Sequence, residues 1–187
     1  NNHSRKVGNF IRSRYDCILS TSKTINCDNS LLNCRIEGLE KKSPAVVIID
    51  RFFKIKINLK IFKDKTREIF IFTELNNNIK EKYFKKIGVN IIKLKSSDKS
   101  ENNFRDVFFF LKQLGFNRVL IESGVKYINE VLKHNMIQNF YLFKSPLNLR
   151  NYGKNNTKLH LIRKLKTTIK NKVKINLNGD SLYKIQL

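Results

Sequence analysis

The sequence lacks the features that mark membrane and secreted proteins. No run of apolar residues approaches the ~18 that a membrane-spanning helix needs. The first residues, NNHSRKVGNF, contain no apolar core of the kind found in secretory signals. We therefore expect a protein that does not span a membrane and carries no secretory signal in these residues. The chain also does not begin with methionine, so we expect it to be a fragment of a longer protein.

Cysteine is scarce, and its spacing fits neither a disulfide framework nor a zinc site. Cys17, Cys27 and Cys34 are odd in number and form no CxxC pair, and the three histidines lie far apart. We predict no metal site, and we expect a cytoplasmic protein whose thiols are reduced and serve as small packing residues. The sequence contains no GxGxxG motif either, so the usual dinucleotide-binding fingerprint is absent.

Acidic residues are also few. The 15 Asp and Glu residues stand against 38 Lys and Arg, which gives a net charge of +23. This excess of positive charge is consistent with one interpretation, a basic nucleic-acid-binding module. The basic residues are spread along the chain, however, and Lys, Asn and Ile are abundant together. We therefore favour a solvated surface shaped by nucleotide composition, whose charge would also attract a phosphorylated substrate.

What the sequence does contain is an alternation of apolar strands and amphipathic helices. With 187 residues, of which 41% are hydrophobic, the chain 1–187 is long enough for a single domain with a substantial core. Apolar runs predict the strands, and apolar residues three and four apart predict the helices. The predicted strands are 15–20, 45–50, 68–73, 89–94, 118–122 and 138–143, and the predicted helices are 4–15, 79–87, 104–114 and 127–132.

Three further segments complete the predicted fold. Residues 52–62 alternate apolar and polar side chains, which favours a short strand or hairpin arm. A polar, basic linker follows Pro146, and residues 172–177 and 181–187 alternate about Asn178-Gly179, a strong signal for a tight hairpin. We therefore predict an α/β fold with a mixed, mostly parallel sheet flanked by helices and a C-terminal antiparallel hairpin.

Two stretches carry the polar residues expected of a ligand site. In the first, 12–35, an apolar strand leads to hydroxyl, carboxylate and arginine residues that can face a phosphorylated ligand at the rim of a sheet. The second is the strand-to-helix junction Glu122-Ser123-Gly124, where small residues and a helix start favour a phosphate. Taken alone, this junction is more simply an ordinary turn with a surface glutamate, and Arg12 a solvated arginine.

Together the two stretches resemble a known family. The blocks RSRYDCILSTSKTINCDNSLLNCR (12–35), PAVVIID (44–50), RVLIESGVKYINEVL (118–132) and QNFYLFKSP (138–146) are similar, in order and spacing, to the reductase domain of the bifunctional riboflavin-biosynthesis deaminase/reductase. The resemblance implies a dihydrofolate-reductase-like fold, here without its N-terminal strand. It also implies an oxidoreductase that uses NADPH to reduce 5-amino-6-(5-phosphoribosylamino)uracil to the ribitylamino product.

Carried over position by position, the resemblance implies roles for particular residues. The substrate would be bound by Arg12, Leu32, Arg35 and Glu122. NADPH would be bound by Thr24, Asp28, Gly124, Val125, Lys126, Tyr127, Ile128, Asn129 and Glu130. In this scheme the two arginines clamp a phosphate, and the glutamate reads the pyrimidine edge.

The resemblance also implies partners and includes departures from the family pattern. It implies a homo-oligomer and, in the full protein, a fused N-terminal zinc deaminase domain. Asn29-Ser30 stands where the family has Asp-Pro, which is expected to loosen the turn that aims Leu32 and Arg35, and Ser123 replaces a smaller residue. A dihydrofolate-reductase-like enzyme acting on another pterin or pyrimidine remains an alternative.

Overall fold

A computed structural model describes residues 1–95, 100–147 and 171–187. The chain divides into two compact units, residues 9–124 and residues 1–8 with 125–187. The helices are α1 (Asn2–Arg12), α2 (Ser22–Asp28), α3 (Asn78–Lys86), α4 (Ser100–Gln113) and α5 (Val125–Lys133). Among the described residues, no helix combines the length and the apolar character needed to cross a bilayer. Most of the linker predicted after Pro146 lies outside the described residues.

The unit formed by residues 9–124 is built on a parallel sheet. Its strands are β1 (Cys17–Thr21), β2 (Ala45–Ile49), β3 (Ile69–Thr73), β4 (Asn90–Lys93) and β5 (Val119–Ile121). Their order across the sheet is β4-β3-β2-β1-β5, and every pair is parallel. Leu19 of β1 pairs with Val47 of β2 on one side and Ile121 of β5 on the other. The predicted mostly parallel sheet is therefore confirmed.

Helices cover both faces of this sheet, which explains why its strands appear in the sequence as continuous apolar runs. Successive strand residues point to opposite faces. Ile71 packs in a buried cluster with Phe84 of α3, whereas the ring of the next residue, Phe72, lies 6.2 Å from that of Phe110 in α4. The core of this unit therefore consists of two apolar layers with the sheet between them.

The strand predicted over residues 52–62 is not present, so that prediction was wrong. The buried carboxylate of Asp50 accepts hydrogen bonds from the amides of Lys54 at 2.9 Å and Ile55 at 2.7 Å, which curls the chain directly after β2. A short 3-10 helix, Lys60–Lys63, follows. Ile55 of the loop and Ile61 of the 3-10 helix are buried in the core cluster, so the apolar alternation reflects burial of these segments and not the pleat of a strand.

The other unit contains a small antiparallel sheet. Its strands are β6 (Asn139–Lys144), β7 (Asn171–Lys172) and β8 (Ser181–Gln186), in the order β6-β8-β7. Asn178 and Gly179 have φ angles of 50° and 94°, and the bridge between Leu177 and Asp180 closes a tight turn around them. The predicted C-terminal hairpin is confirmed, with a shorter first arm than expected.

Asp16 ties the start of β1 to the start of β5. Its carboxylate accepts hydrogen bonds from the amides of Asn117 at 2.9 Å and Arg118 at 2.8 Å, and from the Arg118 guanidinium at 2.8 Å. Burial alone would raise the pKa of Asp16, but the bonds from Arg118 and Asn117 outweigh it, so the pKa is lowered. Since the folded pKa lies below the unfolded value, the resulting stabilisation is complete above about pH 4 and is lost as the pH falls through the folded pKa.

We therefore expect Asp16→Asn to reduce the free energy of unfolding at pH 7 by about 1 kcal/mol. The variant should also lose less stability than the parent when the pH is lowered to about 3. Urea denaturation at the two pH values measures both effects. Asp28→Asn, at an exposed aspartate, is the matched control. An equal acid response of the parent and Asp16→Asn would contradict this account.

Candidate functional site

The candidate site lies at the carboxyl ends of β1 and β5. The chain places β2, β3 and β4 successively on one side of β1 and then returns to place β5 on the other side. In open parallel sheets, ligands bind in the crevice outside the strand ends where the strand order reverses. Thr21 ends β1, and Glu122-Ser123-Gly124 directly follows β5. The two polar stretches found in the sequence therefore meet at this point.

Three hydroxyl groups join the two strand ends. Thr21 Oγ1 lies 3.0 Å from Thr24 Oγ1 and 3.2 Å from Ser123 Oγ, and Thr24 Oγ1 lies 3.4 Å from Ser123 Oγ. The amide of Gly124 donates a hydrogen bond to Thr24 Oγ1 at 3.2 Å. The Thr21 hydroxyl also caps α2 by accepting from the amide of Thr24 at 3.4 Å. Thr24 and Gly124, both expected to bind cofactor, are thus in direct contact.

This hydroxyl cluster can offer hydrogen bonds to a polar ligand. Each hydroxyl has one rotatable proton and two acceptor lone pairs, so a proton that points within the cluster can turn outward. A side chain could replace the hydrogen of Gly124 without a clash, because an added Cβ would lie 3.7 Å from Thr24 Oγ1, an ordinary contact distance. The φ angle of Gly124 is also one that other residues adopt. The fold alone therefore does not explain this glycine, whereas close approach of a ligand to the backbone would.

Arg12 and Glu122 form a two-point ion pair next to the cluster. Nε and Nη2 of Arg12 each donate to a carboxylate oxygen of Glu122 at 2.8 Å, and Nη1 donates to the carbonyl of Asn33 at 3.0 Å. The two side chains are 15% and 32% exposed. Burial alone would lower the pKa of Arg12, but the hydrogen bond and charge of Glu122 outweigh it, and the pKa is raised. The arginine therefore stays charged and fixes the orientation of the carboxylate.

The loop after α2 brings the other two predicted substrate residues to this region. Leu32 is buried and has a φ angle of 52°, whereas the side chain of Arg35 is exposed. The amide of Arg35 donates to Oδ1 of Asn9 at 3.2 Å. Asn9 lies one helical turn before Arg12 in α1, so the loop is attached to the same helix that holds Glu122.

The remaining predicted cofactor residues lie in two helices. Asp28 is exposed and ends α2. The first six residues of α5, a helix of the unit that contains the antiparallel sheet, are Val125, Lys126, Tyr127, Ile128, Asn129 and Glu130. Burial raises the pKa of Tyr127. Asn129 is buried, and its Oδ1 has no hydrogen-bond partner within the described parts of the chain.

Sequence reasoning assigned no role to two members of the hydroxyl cluster, Thr21 and Ser123, although both lie within the two polar stretches. One signal was available for Thr21, because a threonine that follows an apolar run and precedes a polar segment is a typical helix N-cap. Ser123 was noted as a small residue of the strand-to-helix junction, but no signal indicated that its hydroxyl joins this cluster. Its partners in the cluster lie about 100 residues away in the chain.

Comparison with known proteins identifies the family. Residues 2–175 match the family described as the RibD C-terminal domain. The chain belongs to this family. The resemblance stated from the sequence is therefore confirmed.

Two curated relatives of this RibD C-terminal domain come from Buchnera aphidicola. The riboflavin biosynthesis protein RibD of subspecies Baizongia pistaciae is 30% identical over 158 residues, which cover 77% of this chain and 41% of that protein. The 5-amino-6-(5-phosphoribosylamino)uracil reductase of subspecies Acyrthosiphon pisum is 30% identical over 149 residues, covering 72% of this chain and 68% of that protein. The chain thus spans less than half of the first relative.

Solved structures share the fold. Acinetobacter baumannii RibD has a TM-score of 0.75 at 16% identity, covering 100% of this chain and 50% of that one. The riboflavin biosynthesis reductase Rib7 of Saccharomyces cerevisiae has a TM-score of 0.73 at 19% identity, and the match covers 100% of this chain and 81% of Rib7. A deaminase/reductase from Thermotoga maritima has a TM-score of 0.69 at 19% identity, and the match covers 100% of this chain and 49% of the Thermotoga protein. These similarities confirm the predicted α/β fold.

Proposed function

We propose that this RibD C-terminal domain is a reductase of riboflavin biosynthesis. It reduces 5-amino-6-(5-phosphoribosylamino)uracil to the ribitylamino product, with NADPH as the cofactor. The proposal is carried by the meeting of two polar stretches, from opposite ends of the larger unit, at the point where the strand order of the parallel sheet reverses. The Buchnera relative named as a 5-amino-6-(5-phosphoribosylamino)uracil reductase, at 30% identity, supports it.

Two kinds of group are present for two kinds of ligand. Thr24 and Gly124, which contact each other and the hydroxyls of Thr21 and Ser123, provide neutral polar groups suited to the cofactor. We also propose Asp28 and residues 125–130 of α5 as cofactor-binding residues. When bound, NADPH supplies the hydride, and the protein's task is to bind and orient the reactants.

The substrate side of the site is charged. The Glu122 carboxylate is held at two points by Arg12, and the remaining lone pairs of its oxygens can accept hydrogen bonds from the N–H groups of a pyrimidine. Arg35 presents an exposed guanidinium from a fixed backbone, as binding of the substrate phosphate requires. Because three nitrogens of Arg12 already have partners, we assign phosphate binding chiefly to Arg35 and the orientation of Glu122 to Arg12.

The same proposal covers the full protein. We propose a zinc deaminase domain N-terminal to this domain, and the name of the Thermotoga maritima relative, a deaminase and a reductase in one protein, supports a fused deaminase. We also propose association into a homo-oligomer and a cytoplasmic location. The direct test is oxidation of NADPH by the purified full-length protein on addition of the phosphoribosylamino-pyrimidine. No oxidation above the rate without substrate would overturn the assignment.

Replacing Arg35 by alanine should weaken substrate binding selectively. Loss of charge-assisted hydrogen bonds to a phosphate is expected to raise the KM for substrate by about 10- to 100-fold. The Kd for NADPH should stay unchanged, because Arg35 belongs to the substrate side. Arg14→Ala, at another exposed arginine, is the matched control for the loss of positive charge. Equal weakening of both ligands would remove the role assigned to Arg35.

A further inference from the structure

Arginine side chains hold the loop that carries Leu32 and Arg35. We call residues 29–35 the substrate loop. Arg67 donates from Nη2 to the carbonyl of Leu31 and from Nη1 to the carbonyl of Leu32 at 2.9 Å. Arg12 donates from Nη1 to the next carbonyl, that of Asn33, at 3.0 Å. Three successive carbonyls of the substrate loop thus accept hydrogen bonds from guanidinium groups.

Arg67 is buried and hydrogen-bonds to several parts of the chain. Its side chain is 4% exposed, and its remaining bonds go to the carbonyl of Pro44 at 3.2 Å and to Oδ2 of Asp64 at 3.0 Å. Burial lowers the pKa of Arg67, and the charge of Asp64 partly offsets this effect. Asp64 is itself oriented, because its Oδ1 accepts from the amide and hydroxyl of Thr66 at 3.0 and 2.6 Å. A lysine could not reproduce this pattern, since it has one nitrogen and no planar fork.

The substrate loop needs such support because of its conformation. Leu32 has a φ angle of 52°, in the left-handed region that residues with a Cβ rarely adopt. Such a conformation persists only when its surroundings hold it. Asn29 and Ser30 help, since Asn29 Oδ1 accepts from the amide of Lys60 at 2.9 Å and Ser30 Oγ accepts from the amide of Leu32 at 3.3 Å. Arg67 is the group that binds the carbonyl of Leu32 itself.

We propose that Arg67 is a positioning residue for the substrate. It holds the substrate loop in the conformation that presents Leu32 and Arg35, and it touches neither substrate nor cofactor. This inference rests on the proposed function, because that function makes Leu32 and Arg35 substrate residues. Arg67 lies outside both polar stretches, and no pattern in the sequence singled it out.

The test compares Arg67→Lys with the parent in the full-length protein. We expect the KM for the phosphoribosylamino-pyrimidine to rise by about 10-fold or more, because the loop samples other conformations. The Kd for NADPH, measured by fluorescence titration, should change by less than about 2-fold. Arg118→Lys is the matched control. Arg118 also pairs with an aspartate, Asp16, but its side chain is 63% exposed and neither residue belongs to the substrate loop. If Arg67 only stabilised the fold, Arg67→Lys would weaken the binding of substrate and of NADPH by similar factors, and the proposal would be wrong.

Hydrogen exchange separates this inference from the proposed function. Without ligands, the amides of residues 31–35 should exchange faster in Arg67→Lys, whereas those of β2 should not. Unchanged exchange in the loop overturns the inference, as does faster exchange with an unchanged KM. A parent protein that turns over no substrate overturns the proposed function, and exchange then still shows whether Arg67 orders the loop. If Arg67→Lys does not fold, Asp64→Asn should shift the KM in the same direction by a smaller factor.

Discussion

Replacing Glu122 by glutamine is expected to lower kcat/KM for the pyrimidine substrate by about 100-fold, equivalent to about 3 kcal/mol of transition-state stabilisation. Glutamine keeps the shape of the side chain but presents an NH2 group to one of the two Arg12 nitrogens that now donate to the carboxylate. Two donors then face each other, and the guanidinium loses its counter-charge. The side chain should therefore turn away, which removes the acceptor for the pyrimidine.

Steady-state kinetics and a titration with NADPH measure this effect. Glu74→Gln is the matched control, because Glu74 also forms a two-point pair with an arginine, Arg51, but lies outside the proposed site. A double-mutant cycle adds Arg12→Met. If Arg12 acts by orienting Glu122, the double variant should be little worse than Glu122→Gln alone. Equal losses of kcat/KM in Glu122→Gln and Glu74→Gln would show that the carboxylate at position 122 has no special role.

The strands of the parallel sheet could be predicted because burial on both faces leaves a clear trace in sequence. The runs at 45–50 and 68–73 are nearly continuous in apolar residues, and each contains a strand. The helix α2 could not be predicted in this way, because SKTINCD is short and has little helix propensity. It is held instead by the Thr21 cap at its start and by the buried side chain of Ile25.

The candidate site was predictable only where a residue lies in a recognisable block. Arg12 and Glu122 each belong to such a block, but nothing in either block states that they form an ion pair across 110 positions of the chain. Periodicity reports which face of an element is buried, and it does not report which strand ends become neighbours. Arg67 illustrates the limit, since its partners Leu31, Leu32 and Pro44 are fixed only by the packed fold.

Replacing Asp50 by alanine is expected to reduce the free energy of unfolding by about 3 kcal/mol. Its side chain accepts hydrogen bonds from the hydroxyl of Ser22 at 2.7 Å and from the amides of Lys54 and Ile55. Asp50 as a residue is 3% exposed, so water cannot readily replace the lost carboxylate. Alanine would leave a hydroxyl and two amides without their acceptor, each at a cost of about 1 kcal/mol.

Urea denaturation followed by circular dichroism measures this loss, and Asp28→Ala, at an exposed aspartate in the same unit, is the control. Asp50→Asn should lie between the parent and Asp50→Ala, because its single carbonyl oxygen can still serve some of the donors. The same result would explain why residues 52–62 form a loop in spite of their alternating pattern, since the carboxylate satisfies amides that a strand would otherwise pair. If Asp50→Ala is no less stable than Asp28→Ala, the loop is held by its apolar side chains alone.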